Sequence, residues 1–118
     1  MKLKELVAAI QAKPPTPAQL KTAAATMHVS LEGLMVQIAK DIAESYMSGA
    51  YSWAFADAAM MNLYATANGP AHLAFPQFAF DVYVAFDEGE SKHRDNPALD
   101  GESRTKELLK PLLGGIRS

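Results

Sequence analysis

The sequence predicts an all-α fold, a compact single-domain bundle of five or six helices, and three observations predict it. The chain has 118 residues, the length of one domain, which buries roughly two-thirds of the surface its unfolded chain exposes. Apolar residues make up 49% of it and recur at three- and four-residue spacing, the period of a helix with one buried face. Proline, glycine, serine and threonine stand where such helices begin and end, and no second alternating segment offers itself as a partner strand.

The first helix is expected over 2–12, with Leu3, Leu6, Val7 and Ile10 on one face. Lys13-Pro14-Pro15 stops it, because proline lacks the N–H and restricts the residue before it. Thr16-Pro17 reads as an N-cap followed by proline at the first helical position, opening a second helix to Met27. Ser30 is the next N-cap, with Glu32 in the first turn favouring the helix dipole. The third helix carries Leu34, Met35, Ile38, Ile42 and Met47 to about Ser48, and Gly49 closes it. Together 2–48 form an N-terminal helical hairpin.

A fourth helix, 52–68, is apolar nearly all round and ends at Asn68-Gly69-Pro70. A helix of that kind is expected at the centre of a bundle. Segment 75–88 alternates like a strand but also places Phe75, Phe78, Val82 and Phe86 at helical spacing. Pro76 suits a helix start and Gly89 a helix end, so helix is the expectation. A charged loop over 89–100 and a last helix over 101–113, kinked or frayed by Pro111, complete the chain; Gly114-Gly115 reads as a frayed tail.

Charge narrows the function classes. Eleven Lys+Arg against thirteen Asp+Glu leave a net charge of −2, which gives no support to a polybasic nucleic-acid or membrane binder. The absence of cysteine excludes a disulfide framework, a thiolate zinc site and a cysteine nucleophile. Between Glu44 and Asp87 the only charged residues are Asp57 and Asp81. The charge-free run 58–80 is long enough for a bilayer, but the turn at Asn68-Gly69-Pro70 interrupts it. The first residues fail as a signal peptide, since Glu5 and Lys13-Pro14-Pro15 bound a short apolar stretch. A cytoplasmic protein with no membrane partner is expected.

Residues 19–38 resemble a DNA-binding helix-turn-helix: Ala24 is small, Val29 lies in the turn, Ser30 opens the second helix, and Leu34 and Ile38 fall on its buried face. The resemblance implies a nucleic-acid-binding regulator. The sequence departs from the motif at His28, where glycine usually supplies positive φ. The would-be reading helix offers Glu32, Gly33, Val36, Gln37 and Lys40, of which only Gln37 and Lys40 suit bases or phosphates. An ordinary helical hairpin is the stronger expectation, and nucleic acid the weaker partner.

Glu90-x-x-His93 has the spacing of a carboxylate-bridged metal pair, but Lys92 and Arg94 beside it oppose a cation and no second pair exists. No phosphate-cradling glycine loop or nucleophile triad is present. No cofactor, no metal and no catalytic residue is therefore expected. Asp57 and Asp81 are each a carboxylate inside an apolar stretch. If they converge, with Tyr83, they form a polar pocket in which two carboxyls share a proton and a small ligand binds. Otherwise each faces water, caps a helix or bonds a tyrosine.

The leading expectation is a non-catalytic domain that binds another protein or a second copy of itself. All ten aromatics and three of the six methionines lie in 46–86, a composition suited to adaptable apolar interfaces. In size and mild acidity the chain is similar to toxin-neutralising immunity proteins, which bind through acidic patches. That similarity implies such a patch at Asp87, Glu88 and Glu90.

Overall fold

The computed structural model describes residues 2–95 and 101–117, with side chains for 2–91 and 101–114. Among the described residues the chain forms six α-helices and no strand. They are α1 (Leu3–Ala12), α2 (Pro17–Thr26), α3 (Leu31–Met47), α4 (Trp53–Ala67), α5 (Gln77–Asp95) and α6 (Gly101–Arg117). No helix among these residues is long and apolar enough to cross a membrane.

The helix starts follow local chemistry. Thr16 and Gln19 form a reciprocal capping box, with Gln19 N–H donating to Thr16 Oγ1 at 3.1 Å and Thr16 N–H to Gln19 Oε1 at 2.9 Å. Ser30 Oγ accepts from Gly33 N–H at 2.9 Å, and Ser52 Oγ from Phe55 N–H at 3.1 Å. The end of α1 is closed from outside. The prolines after Lys13 cannot donate to its last carbonyls, and Asn62 Nδ2 of α4 donates to Ile10 O at 2.8 Å and Gln11 O at 3.2 Å instead. Thr66 Oγ1 adds a bond to Pro15 O at 2.5 Å, so α4 fixes where the chain turns from α1 into α2.

Three expectations about helices are corrected. The central helix is α3, not α4: α3 packs against all five others, whereas α4 packs chiefly against α1, α3 and α5. Leu34, Met35, Ile38, Ala39, Ile42 and Ala43 of α3 are wholly buried. The even apolar surface of α4 comes largely from alanines, several of which face solvent at no cost in helix propensity.

The second correction is Gly89, which does not end α5. The helix continues to Asp95, and Gly89 is the point where α5 meets α6. A Cβ there would overlap Thr105 Oγ1 and lie 2.6 Å from Gly101 O. Glycine is needed for close approach of two backbones, with an ordinary helical φ. Thr105 locks the contact by donating to Ala85 O at 2.9 Å while accepting from Trp53 Nε1 at 3.1 Å. The expected charged loop is therefore helical to Asp95; its remainder, 96–100, lies outside the described residues.

The third correction is α6, which runs through Pro111 to Arg117 and includes Gly114 and Gly115. Proline removes one helical hydrogen bond. Leu109, two residues before it, is wholly buried, and tertiary packing of that face holds the helix on.

Candidate functional site

The most unusual chemistry lies along the seam between α4 and α5. The connection from Asn68 to Pro76 folds α5 back against α4, so that residues equally far from the turn become neighbours. Tyr64 stacks on Tyr83 with ring centroids 4.1 Å apart and packs edge-on against Phe75 at 5.5 Å. Two turns further from the connection, Asp57 of α4 meets Asp87 and Glu90 of α5. At 100° per residue, Asp57, Met61 and Tyr64 fall within roughly 60° of one another on α4, as do Tyr83, Asp87 and Glu90 on α5. The seam is thus aromatic at one end and acidic at the other.

Asp57 is only 8% exposed, and its Oδ1 has no hydrogen-bond partner. The Glu90 and Asp87 carboxyls are near enough for their charge to act on the group. Burial, then the charge and hydrogen bond of Glu90, then the charge of Asp87, raise the Asp57 carboxyl from 3.8 to about 7. Burial, followed by Asp87 and the neighbouring groups, raises the Tyr83 phenol as well. No lysine or arginine among the described residues pairs with Asp57, Asp87 or Glu90.

A second carboxylate cluster shows the opposite arrangement. Asp41 on α3 accepts from Lys4 Nζ at 2.9 Å and from Tyr51 OH at 2.9 Å, with Ser45 Oγ at 3.4 Å. Lys4 Nζ also donates to Ser45 Oγ at 3.2 Å and sits 5.1 Å from the Tyr51 ring centre. The hydrogen bond to Asp41 raises the Lys4 amine, and burial raises the Tyr51 phenol. This cluster joins α1 to α3 and leaves no donor or acceptor demand open. Sequence reasoning did not single out Asp41; its place among Ile38, Ile42 and Ser45 on one helical face was the available signal.

The expected pocket of Asp57, Asp81 and Tyr83 is half corrected. Asp57 and Tyr83 share the seam, but Asp81 does not. It lies roughly 160° from Tyr83 around α5, half-exposed, with Gln77 Nε2 donating to its Oδ1 at 2.8 Å. Other donors of the midsection are used elsewhere: Tyr46 on Glu102 at 2.7 Å, Tyr51 on Asp41, Trp53 on Thr105, Asn62 on α1. The expected patch of Asp87, Glu88 and Glu90 also divides. Asp87 and Glu90 face Asp57, while Glu88 turns to α6 and accepts from Arg104 at 3.1 Å. The His93 side chain, expected beside Glu90, lies outside the described residues. Among the described residues no three carboxylate or histidine groups converge as a metal ion requires.

The segment resembling a helix-turn-helix has the motif's turn. His28 itself takes φ 57°, and Val29 N–H reaches back to Ala24 O at 3.0 Å. The helix that follows is enclosed. Of Glu32, Gly33, Val36, Gln37 and Lys40, only Glu32 and Lys40 are exposed, and they carry opposite charges. A separate open cavity of about 610 Å³ lies between α1, the Lys13–Pro15 connection and α2, walled mainly by apolar groups of Leu6, Ile10, Pro14, Ala18, Ala23 and Met27.

Comparison with protein-family models, characterised proteins and solved structures found no match for this chain.

Proposed function

We propose that the chain is a non-catalytic protein-interaction domain and that the α4–α5 face receives the partner. One observation carries this reading. Met61 and Phe80, the two large hydrophobic side chains that are exposed among the described residues, at 43% and 38%, fall on the faces that carry the unpaired carboxylates. Phe80 lies 6.1 Å from Tyr64 and 6.2 Å from Tyr83, so it extends the aromatic stack to the surface. Apolar groups beside desolvated polar ones are the composition of an interface centre. A soluble monomer gains nothing from exposing them together.

The experiment is selection of phage-displayed random peptides against the folded domain. Selected peptides should lose about tenfold or more in affinity for Phe80→Glu, because a charge replaces a contact aromatic. They should keep their affinity for Lys21→Glu on α2. Peptides that bind both variants equally, or that lose affinity only for the α2 variant, overturn the reading. Sedimentation velocity on the wild-type protein separates the two kinds of partner. A monomer across the accessible concentration range assigns the face to a different protein, and a dimer abolished by Phe80→Glu assigns it to a second copy.

A further inference from the structure

We propose that Asp57, Asp87 and Glu90 form a socket for one arginine side chain of a protein partner, with the stacked Tyr64–Tyr83 pair as the shelf beside it. The inference rests on the reading of the α4–α5 face as the partner surface and names the group that surface recognises.

The first support is Asp57 itself. A carboxylate oxygen that is buried without a donor costs free energy that folding alone does not recover. Oδ1 is in that state, and the residue is more than nine-tenths buried. The second support is charge. The groups acting on Asp57 are Glu90 and Asp87, both from α5, with the Tyr83 phenol beside them; all are acidic, and no cation among the described residues answers them. A positive charge is therefore what charge complementarity asks of the partner.

The third support is shape. A guanidinium carries five donors in a plane, bridges two carboxylates at once, and stacks on an aromatic face. The seam offers carboxyls from two helices and a tyrosine pair stacked at 4.1 Å with an interplanar angle of 18°. An ammonium could meet the charge but not both the bridging and the stacking. A bare metal ion fits less well, since it needs its ligands drawn to one point and Asp57, Asp87 and Glu90 are spaced too widely for that, whereas a guanidinium spans carboxylates set further apart. Asp57 is the buried member of the three, and Asp87 and Glu90 beside it are half-buried. Phe80 and Met61 then receive the apolar residues that flank the arginine.

Entry of the guanidinium displaces the proton that burial and the neighbouring carboxylates hold on Asp57. With the Asp57 carboxyl held at about 7, binding strengthens as pH rises through that value and weakens below it. Between about pH 8 and pH 6 the affinity should fall roughly tenfold.

The test uses a short peptide with a central arginine between leucine and phenylalanine, and the same peptide with citrulline, which has the same shape and no charge. Binding is followed by amide NMR shifts of the whole domain. The arginine peptide should shift residues around 57, 64, 83 and 90, and the citrulline peptide should bind about tenfold or more weakly, the usual scale for a lost charge-assisted pair. Asp57→Asn and Glu90→Gln should each weaken the arginine peptide at least fivefold, about 1 kcal/mol. Asp57→Asn should also remove the pH dependence. Asp57→Asn withdraws a buried charge, so it keeps its fold, which circular dichroism verifies. Equal affinity for the two peptides, with shifts on the α4–α5 face, overturns the socket and leaves the partner face standing. Shifts elsewhere, or none with either peptide, overturn both.

Discussion

At the α1–α3 seam, Asp41 is surrounded by donors: an ammonium, a phenol and a hydroxyl, each from a residue with no other strong demand. At the α4–α5 seam, Asp57 is surrounded by two more carboxylates and a phenol, and one of its oxygens has nothing. Both are single carboxylates set between helices. The first is complete within the chain, and it behaves as structure. The second has no cation beside it among the described residues, and it is flanked by the exposed Met61 and Phe80. The difference separates a carboxylate that joins two helices from one that the proposed arginine would complete.

The contrast depends on α5 being held in place, and Gly89 tests that most severely. Gly89→Ala should cost about 3 kcal/mol, because the added methyl overlaps Thr105 and presses on the α6 backbone. Urea denaturation measures it. A loss below about 0.5 kcal/mol would show that α5 is free to move and that Asp57 is not pinned against Glu90.

Next in size is the response to pH. Below pH 3.8 the Asp57 carboxyl is protonated in both folded and unfolded chains. Between 3.8 and about 7 the unfolded chain has released the proton while the folded one keeps it. Stability therefore falls as pH rises through that window and is level above it, with a loss of roughly 2 kcal/mol after allowance for solvent screening. Asp57→Asn should flatten this part of the profile and be the more stable protein above pH 7. Thermal melts at a series of pH values read both effects.

The Asp41 cluster should respond in the opposite sense. Asp41→Ala strips the Tyr51 hydroxyl and Lys4 of their acceptor and should destabilise by about 1.5 kcal/mol. A stabilising effect would erase the contrast between the two seams. The smallest change is Lys4→Met, at about 0.5 kcal/mol or less, since the Lys4 side chain is 66% exposed and its ion pair is well solvated. Added salt should shrink that difference further.

Much of the helical framework was legible because its signals are local. Thr16, Ser30 and Ser52 cap the helices they precede, and the prolines after Lys13 end α1. Gly89 was not legible in the same way, because the same residue serves a left-handed helix end and a close helix contact. Only the small residues Gly101 and Thr105, four apart on α6, hint at the second use. The centrality of α3 was hidden for a related reason: alanines make α4 look buried on every side, while α3 advertises its burial with a mixture of apolar and polar residues.

The site was legible in its members and not in its pairing. Asp57, Tyr83, Asp87 and Glu90 all stood out as residues, but Asp57 was matched with Asp81, its counterpart as the other lone charge of the midsection. The turn decides otherwise. Asp57 is ten residues before the end of α4 and Asp87 ten after the start of α5, so an antiparallel pair of helices brings those two together. Asp81 is nearer the turn and on the other side of its helix, where Gln77 and water suffice.

The most direct measurement is the titration of the Asp57 carboxyl carbon by NMR, alone and with the arginine peptide. An apolar seam crowded with carboxylates predicts a midpoint near 7 in the free protein, and a midpoint lowered by about one unit or more once the guanidinium is bound. A free-protein midpoint near the ordinary carboxylate value of 3.8 would contradict the claim that no group among the described residues compensates Asp57.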